Sequence, residues 1–374
     1  MKIYLDYASH TPVSETVLKT YCETELRFAG NPLSVHQLGQ EAQKELSRIT
    51  QAIAKLIHVK PEEIIFTSGA SEANNLAIKG IARAYGYKGR HILSTCLEHP
   101  SVSATLAALQ DTGYEIELVK ILPNGTIDLE HLASVIRTDT ILVCISAVDS
   151  ELGAIQPIED ISMIIEKYPN CHLHIDAAQA IGKIHVDMHS ASTMCFSPHK
   201  FYGLLGCGVL VKRDGVVLEP LIHGGGVSIY RGGTPALGLA AACHTALDLA
   251  LANLDTRLAK VISLSEHMVK KLSQYPLVRI NSPVDGSPYI INISVKGIKA
   301  TTFTTLLDKH GICVSIKSAC STDTAPSRPV MAISRDKQNA LSSWRISLSH
   351  MTEIHELDAF LQAFDICYTG VHTR

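Results

Sequence analysis

The sequence predicts an α/β fold, with helices flanking a mainly parallel sheet and a second, smaller α+β unit after it. Three observations predict this. Short apolar runs recur in the first part of the chain, and they are continuous rather than alternating, as in strands buried on both faces. Stretches of helical periodicity lie between them, the alternation expected of a parallel sheet and its crossover helices. From about residue 235 that alternation gives way to long helical segments with a few strands.

The expected strands of the first unit are residues 64–67, 91–94, 141–146, 172–175 and 208–211. Leu38, Ala42, Leu46, Ile49, Ile53 and Leu56 recur at spacings of three and four, which puts them on one helical stripe. Residues 237–272 read as one long helical stretch. A strand at 289–295, a helix at 300–310, a strand at 344–348 and a helix at 353–367 follow. Sheets of this kind bind ligands at the carboxyl ends of their strands.

Composition narrows the function. Of 374 residues, 46% are apolar and 18% charged, with a net charge of −3. That is a globular balance with ample material for a core. No basic run points to nucleic acid. The N-terminus has no signal-peptide pattern, and no apolar run is long enough to span a membrane. The expectation is a cytoplasmic protein. The ten cysteines are scattered, with no C-x-x-C pair, so a disulfide framework is not expected. Those in apolar runs, such as Cys144, read as small buried hydrophobes.

Four pieces follow strand ends. Residues 67–75, Thr-Ser-Gly-Ala-Ser-Glu-Ala-Asn-Asn, turn from a strand into a helix, and a helix N-terminus binds phosphate well. Glu98-His99-Pro100 puts a histidine at the lip of the next helix. Asp176, in His174-Ile175-Asp176-Ala177-Ala178-Gln179, ends a buried strand, where an isolated carboxylate needs a partner. Phe196-Ser197-Pro198-His199-Lys200 places a lysine between a strand end and a glycine-containing loop, where desolvation makes an amine nucleophilic. Each alone also reads as ordinary structure: a turn, a cap, a strand end, a surface lysine. Together they are the parts of a pyridoxal-phosphate (PLP) site: a lysine, an acid for the ring nitrogen, a flat group over the ring and a phosphate cup.

In this order the pieces resemble the fold-type I PLP enzymes of the class-V aminotransferase family, and within them the NifS/IscS-like cysteine desulfurases. The resemblance runs from Tyr4-Leu5-Asp6-Tyr7-Ala8 to Trp344-Arg345-Ile346-Ser347-Leu348, and includes Gly30-Asn31-Pro32, Arg231-Gly232-Gly233-Thr234-Pro235 and Ser318-Ala319-Cys320. It implies a large PLP-binding domain at 14–255 with a seven-stranded type of sheet. Residues 1–13 with 256–374 would form a small domain carrying a catalytic-cysteine loop at about 316–330.

The resemblance also implies roles. Lys200 would carry the cofactor. Asp176 would keep the ring nitrogen protonated, and His99 would stack on the ring and take part in catalysis. Gln179 would bond the phenolic oxygen. Ala70, Ser71, Ser197 and His199 would hold the phosphate. Thr234 would reach the phosphate of a neighbouring subunit, which implies a homodimer. Arg345 and Asn31 would bind the substrate carboxylate. Cys320 would take sulfur from L-cysteine as a persulfide, release L-alanine, and pass the sulfur to an acceptor protein, as in iron–sulfur supply. The run after it, Ser321-Thr322-Asp323-Thr324-Ala325-Pro326-Ser327, is small and polar, the composition of an exposed loop. Lys317 stands where the family pattern has glycine, either as a solvated loop lysine or as an ammonium that lowers the thiol pKa.

Some positions depart from the family pattern. Asp149-Ser150 replaces an Asn-Asn pair, and Ser150 is shorter than the side chain expected to reach the phenolic oxygen. His10, Pro198 and the run Val227-Ser228-Ile229-Tyr230 also differ. Two other readings stay open. One is a selenocysteine lyase, or an aminotransferase or β-lyase on the same fold; a loop thiol argues against the aminotransferase. The other is a PLP-binding regulatory partner with weak activity.

Overall fold

A computed structural model describes residues 2–187, 189–317 and 325–372. The chain opens with β1 (Ile3–Tyr4), α1 (Glu15–Arg27) and α2 (Gln37–Leu56). Strands and helices then alternate: β2 (Ile64–Thr67), α3 (Ala70–Tyr85), β3 (His91–Ser94), α4 (Pro100–Gln110), β4 (Glu115–Leu118), α5 (Leu129–Val135), β5 (Thr140–Ser146) and α6 (Ile158–Ile165). Next come β6 (His172–Asp176), β7 (Thr193–Phe196), β8 (Gly208–Lys212), α7 (Leu237–Ala252) and α8 (Leu254–Leu272). The last part holds β9 (Val278–Ile280), β10 (Ile290–Val295), α9 (Ala300–Lys309), β11 (Ile312–Cys313), α10 (Arg328–Ser334), α11 (Lys337–Ser342), β12 (Ser343–Ser347) and α12 (Ile354–His372).

The main sheet has seven strands in the order β2-β8-β7-β6-β5-β3-β4. Only β8 runs antiparallel to its neighbours. The central strands are buried along their whole length, which is why they read as continuous apolar runs. α1, α2 and α7 share one core with the sheet. α3 and α4 contribute to a second. A third core joins Ile3 and Leu5 to α8, α9, α12 and the sheet β12-β10-β9 around Trp344. Full burial of a large apolar side chain of this kind contributes about 1.5–3 kcal/mol.

Several expectations change. The stretch 237–272 is two helices that meet at 66°. At Asn253 the backbone leaves the helical region (φ −114°, ψ 14°), and its side-chain amide donates to the Leu249 carbonyl (2.8 Å). The apolar character changes at the same point, from α7, buried almost all round, to α8, which is amphipathic. Leu38 is 56% exposed, so the α2 stripe begins a turn later, at Ala42. Strands β1, β4, β9 and β11 were not expected, and β7 was expected only through its end before Ser197. β4 is a half-exposed edge strand with two glutamates, and β7 is only four residues long. Cys22 is exposed on α1 rather than buried. Among the described residues no single helix is long and apolar enough to cross a membrane.

Candidate active site

The carboxyl ends of β2, β5, β6 and β7 open on one cavity of about 380 Å3. Its wall includes Ala70, Ser71, His99, Ser150, Asp176, Gln179, Ser197, His199, Lys200 and Arg345. Ten of the residues expected at the site therefore meet in one place. The N-terminal segment closes one side with Ala8 and Ser9.

Lys200 ends a 3-10 turn, Pro198–Lys200, that follows β7. Its ammonium donates to the carbonyls of Ala8 and Ser9, both at 2.8 Å. The same segment is fastened on both sides. Thr11 donates through its hydroxyl to the His199 carbonyl (2.9 Å), and Gln179 Nε2 donates to the Ala8 carbonyl (2.9 Å). Gln179 Oε1 accepts from buried Lys183 (2.7 Å). Burial, with Lys200 and Arg345 adding to it, holds the Lys183 ammonium well below the usual lysine range.

Asp176 is buried at the end of β6. Oδ1 accepts from the Ala178 amide (3.0 Å) and Oδ2 from Asn74 Nδ2 (2.8 Å). His99 caps α4, its Nδ1 accepting from the Ser101 amide (3.1 Å). Burial pushes His99 below the usual histidine range; Asp176 opposes this and Lys200 adds to it. A neutral ring results at neutral pH.

The turn from β2 into α3 offers the first-turn amides of Ala70 and Ser71, which have no partner within the helix. Its shape depends on Gly208. A Cβ there would lie 2.4 Å from the carbonyl carbon of Gly69. Ser197 Oγ donates to the Cys207 carbonyl (2.7 Å) and lies 2.8 Å from His199 Nδ1. Since the serine proton is used, His199 Nδ1 carries the hydrogen of that bond. Burial, then Lys200, His10 and Lys183, lower the His199 pKa to about 3. The His10 ring stacks against it at 5.9 Å.

Arg345, on β12, is 1% exposed. Nη1 donates to the Ser150 carbonyl (2.6 Å), and Nη2 to Asp6 Oδ1 (2.9 Å) and Ser9 Oγ (2.8 Å). Its buried Nε has no partner among the described residues. Asp149, beside Ser150, does not line the cavity. Its Oδ2 accepts from the Glu151 amide (3.0 Å) and from the Leu152 amide, so it caps a turn. Burial, then Glu151, raise its pKa to about 7.

Two expected residues stand apart. Asn31 is exposed and caps its own turn, accepting from the Leu33 amide (2.9 Å). Thr234 is exposed on a neighbouring groove of about 540 Å3, which shares Ser68 and Gly206 with the cavity. Cys320 lies outside the described residues. The described residues on either side of it are joined, the buried Lys317 ammonium donating to the Ala325 carbonyl. Lys317 is thus not the solvated lysine of one reading. The sequence reading gave no role to Asn74 or Lys183, and put the segment of His10 near the mouth of the site without assigning its contacts. For Asn74 the one signal was its place in the 67–75 run.

The aminotransferase class-V family matches residues 3–360. A NifS/IcsS protein homolog of Lactobacillus delbrueckii subsp. bulgaricus is 36% identical over 373 residues, covering 98% of this chain and 97% of its own. A protein named cysteine desulfurase IscS, from Pseudoalteromonas translucida, is 37% identical over 369 residues, covering 96% and 90%. A solved NifS-like protein superposes with a TM-score of 0.91 at 31% identity, covering 98% of this chain and 99% of that one. Sequence, fold and site geometry agree: this chain belongs to the aminotransferase class-V family, among its NifS/IscS-like members.

Proposed function

We propose that the protein is a PLP-dependent cysteine desulfurase, which turns L-cysteine into L-alanine and passes the sulfur through Cys320 to an acceptor protein. The observation that carries this reading is the convergence of Lys200, Asp176 and His99 on one cavity beside the N-terminus of α3. The residues fit the cofactor of this family. The cavity lies within the roughly 300–1,000 Å3 of small-molecule sites. A buried carboxylate faces it, and a helix N-terminus offers amides to a phosphate.

When bound, pyridoxal phosphate supplies an electron sink for the bonds of the substrate carbon. Lys200 anchors it, moving from the Ala8 and Ser9 carbonyls. Asp176 holds a proton at the ring nitrogen. His99, neutral and with its hydrogen on Nε2 because Nδ1 accepts from the Ser101 amide, would cover the ring and donate from Nε2. Ala70, Ser71, Ser197 and His199 hold the phosphate. Gln179 bonds the phenolic oxygen; its amide is oriented by Lys183, which leaves Nε2 as the donor. Ser150 lines the same cavity with a side chain shorter than the one expected to reach that oxygen. Arg345 binds the substrate carboxylate, for which a guanidinium is well shaped; Asn31, which lies outside the cavity, would have to move to assist.

We read residues 14–255 as the cofactor domain and 1–13 with 256–374 as the small domain. The separate core around Trp344 supports the division. We also read the protein as a homodimer. Thr234 lies outside its own cavity, on a groove with the exposed side chains of Val227 and Ile229, the latter 82% exposed. The decisive experiment follows alanine and sulfide release from L-cysteine with a thiol reductant. Cys320→Ser should bind PLP, form no persulfide and lose alanine release by orders of magnitude, since the thiolate is the reactive nucleophile. Cys313→Ala should keep the activity. Wild-type alanine release by Cys320→Ser would refute the mechanism.

A further inference from the structure

We propose that Asn74 is a positioning residue for the cofactor, a hub that fixes the Asp176 carboxylate and, through Ser101, the His99 ring, with His174 and Thr193 locking it from behind. The proposal rests on the PLP reading above and deepens it. Asn74 on α3, His174 on β6 and Thr193 on β7 are all fully buried. His174 and Asp176 lie two residues apart on one strand, so they share a face, and Thr193 is the cross-strand partner of His174.

The hydrogen-bond directions are determined. Asn74 Nδ2 lies 2.8 Å from Asp176 Oδ2 and 2.9 Å from Ser101 Oγ. A carboxylate only accepts, so the amide nitrogen must face it. Asn74 Oδ1 then faces His174 Nε2 (2.8 Å) and the Cys195 thiol (2.9 Å), and both must bring their hydrogens to it. With its hydrogen on Nε2, neutral His174 can only accept at Nδ1, where the Thr193 hydroxyl (2.9 Å) donates. Burial lowers the His174 pKa to about 4, against the pull of Asp176, in keeping with a neutral ring.

Every hydrogen in the chain thus points toward Asp176. Both amide hydrogens of Asn74 are used, and its carbonyl accepts twice. A flipped amide would set its oxygen against the carboxylate. The second branch reaches the other face of the site, because Ser101 Oγ, held by Asn74, also lies 2.8 Å from His99 Nδ1. The acid for the ring nitrogen and the histidine that covers the ring are therefore aligned by one side chain. Simple satisfaction of buried polar groups would require partners for these residues, but not a single residue joining the two.

The test uses the holoenzyme loaded with 15N-labelled pyridoxal phosphate. The ring-nitrogen NMR shift reports protonation, alongside cofactor affinity, kcat and KM. Asn74→Ala should move the shift toward the unprotonated nitrogen and weaken cofactor binding by about 10- to 100-fold, the usual range for supporting groups of this kind. It should lower kcat more than it raises KM. His174→Leu should do the same to a smaller degree. His174→Gln, which can still donate to Asn74 Oδ1, should stay near wild type. A wild-type ring-nitrogen signal and affinity in Asn74→Ala would overturn the hub. If that variant does not fold, equal signals in His174→Leu and wild type would overturn it. If the wild-type chain takes up no PLP, the PLP reading itself falls and the hub with it.

Discussion

Gly208 gives the sharpest test of the phosphate cup. It opens β8, opposite Thr67 at the end of β2. A Cβ at this position would lie 2.4 Å from the Gly69 carbonyl carbon, 2.6 Å from its Cα and 2.7 Å from Thr67 Oγ1. Ordinary contact begins at 3.4 Å, so Gly208→Ala must open the gap by about 1 Å. The nearest atoms are backbone and cannot rotate away. β8 is held between β2 and β7, so the Ser68-Gly69 turn should yield, and with it the amides of Ala70 and Ser71. Overpacking of this kind costs about 1–3 kcal/mol. Expressed in cofactor binding, that is a roughly 5- to 150-fold rise in Kd. The assay is titration of apoprotein with PLP, followed by absorbance, beside a thermal melt of the apoprotein. Unchanged affinity with a much lower melting temperature would show that the strand gives way instead of the turn, and would refute the reasoning.

Three further outcomes follow from the same structure. Borohydride reduction of the holoenzyme followed by peptide mapping should place the pyridoxyl label on Lys200; a label on Lys183 would move the anchor to the neighbouring buried amine. Sedimentation at micromolar concentration should show a dimer, and an active monomer retaining PLP would contradict the shared-site reading of Thr234. Glu98 is fully buried, and burial raises its pKa to about 8 despite hydrogen bonds from Ser146 and Thr95. The folded state therefore keeps a proton that the unfolded state releases near the ordinary value of 4.5. Its stabilisation is full below that value and falls as pH rises toward about 8, by up to about 1.4 kcal/mol per pH unit. Glu98→Gln should remove this slope in denaturant titrations, and equal slopes in both proteins would exclude a protonated Glu98.

The parts of the site that were legible in the sequence sit at strand ends. Asp176, Ser197 and Lys200 each follow a buried strand, and a parallel sheet delivers such ends to one edge. The contacts of the segment 8–11 were not legible, because its partners, His199 and Lys200, lie nearly two hundred residues away. No local pattern encodes that contact. Asn74 sits within a helix, where its turn of α3 faces His174 only after the strands are assembled. The break at Asn253 was hidden because helix-forming apolar residues continue on both sides of it, while one side-chain amide ends α7. β4 escaped notice because edge strands carry charge instead of continuous apolar residues. Lys317 could not be read as a clasp, since its acceptor is a backbone carbonyl across the loop.

The fastening of the N-terminal segment has a consequence for biosynthesis. Ala8 donates through its amide to Ser347 Oγ, 339 residues along the chain, while Ser9 meets Arg345. Ala8 is thus bound by a residue that leaves the ribosome 339 positions after it. Contacts so distant form slowly, because a long loop must close before they repay its entropy. The large sheet can assemble while the chain is still growing and engage Ala8 and Ser9 through Gln179 and Lys200, but the bonds from Ser347 and Arg345 wait for β12. A nascent chain therefore carries Lys200 in a cleft fastened on one side, and the wall is complete only when β12 brings Arg345. Cofactor capture should therefore tighten once β12 has joined the fold.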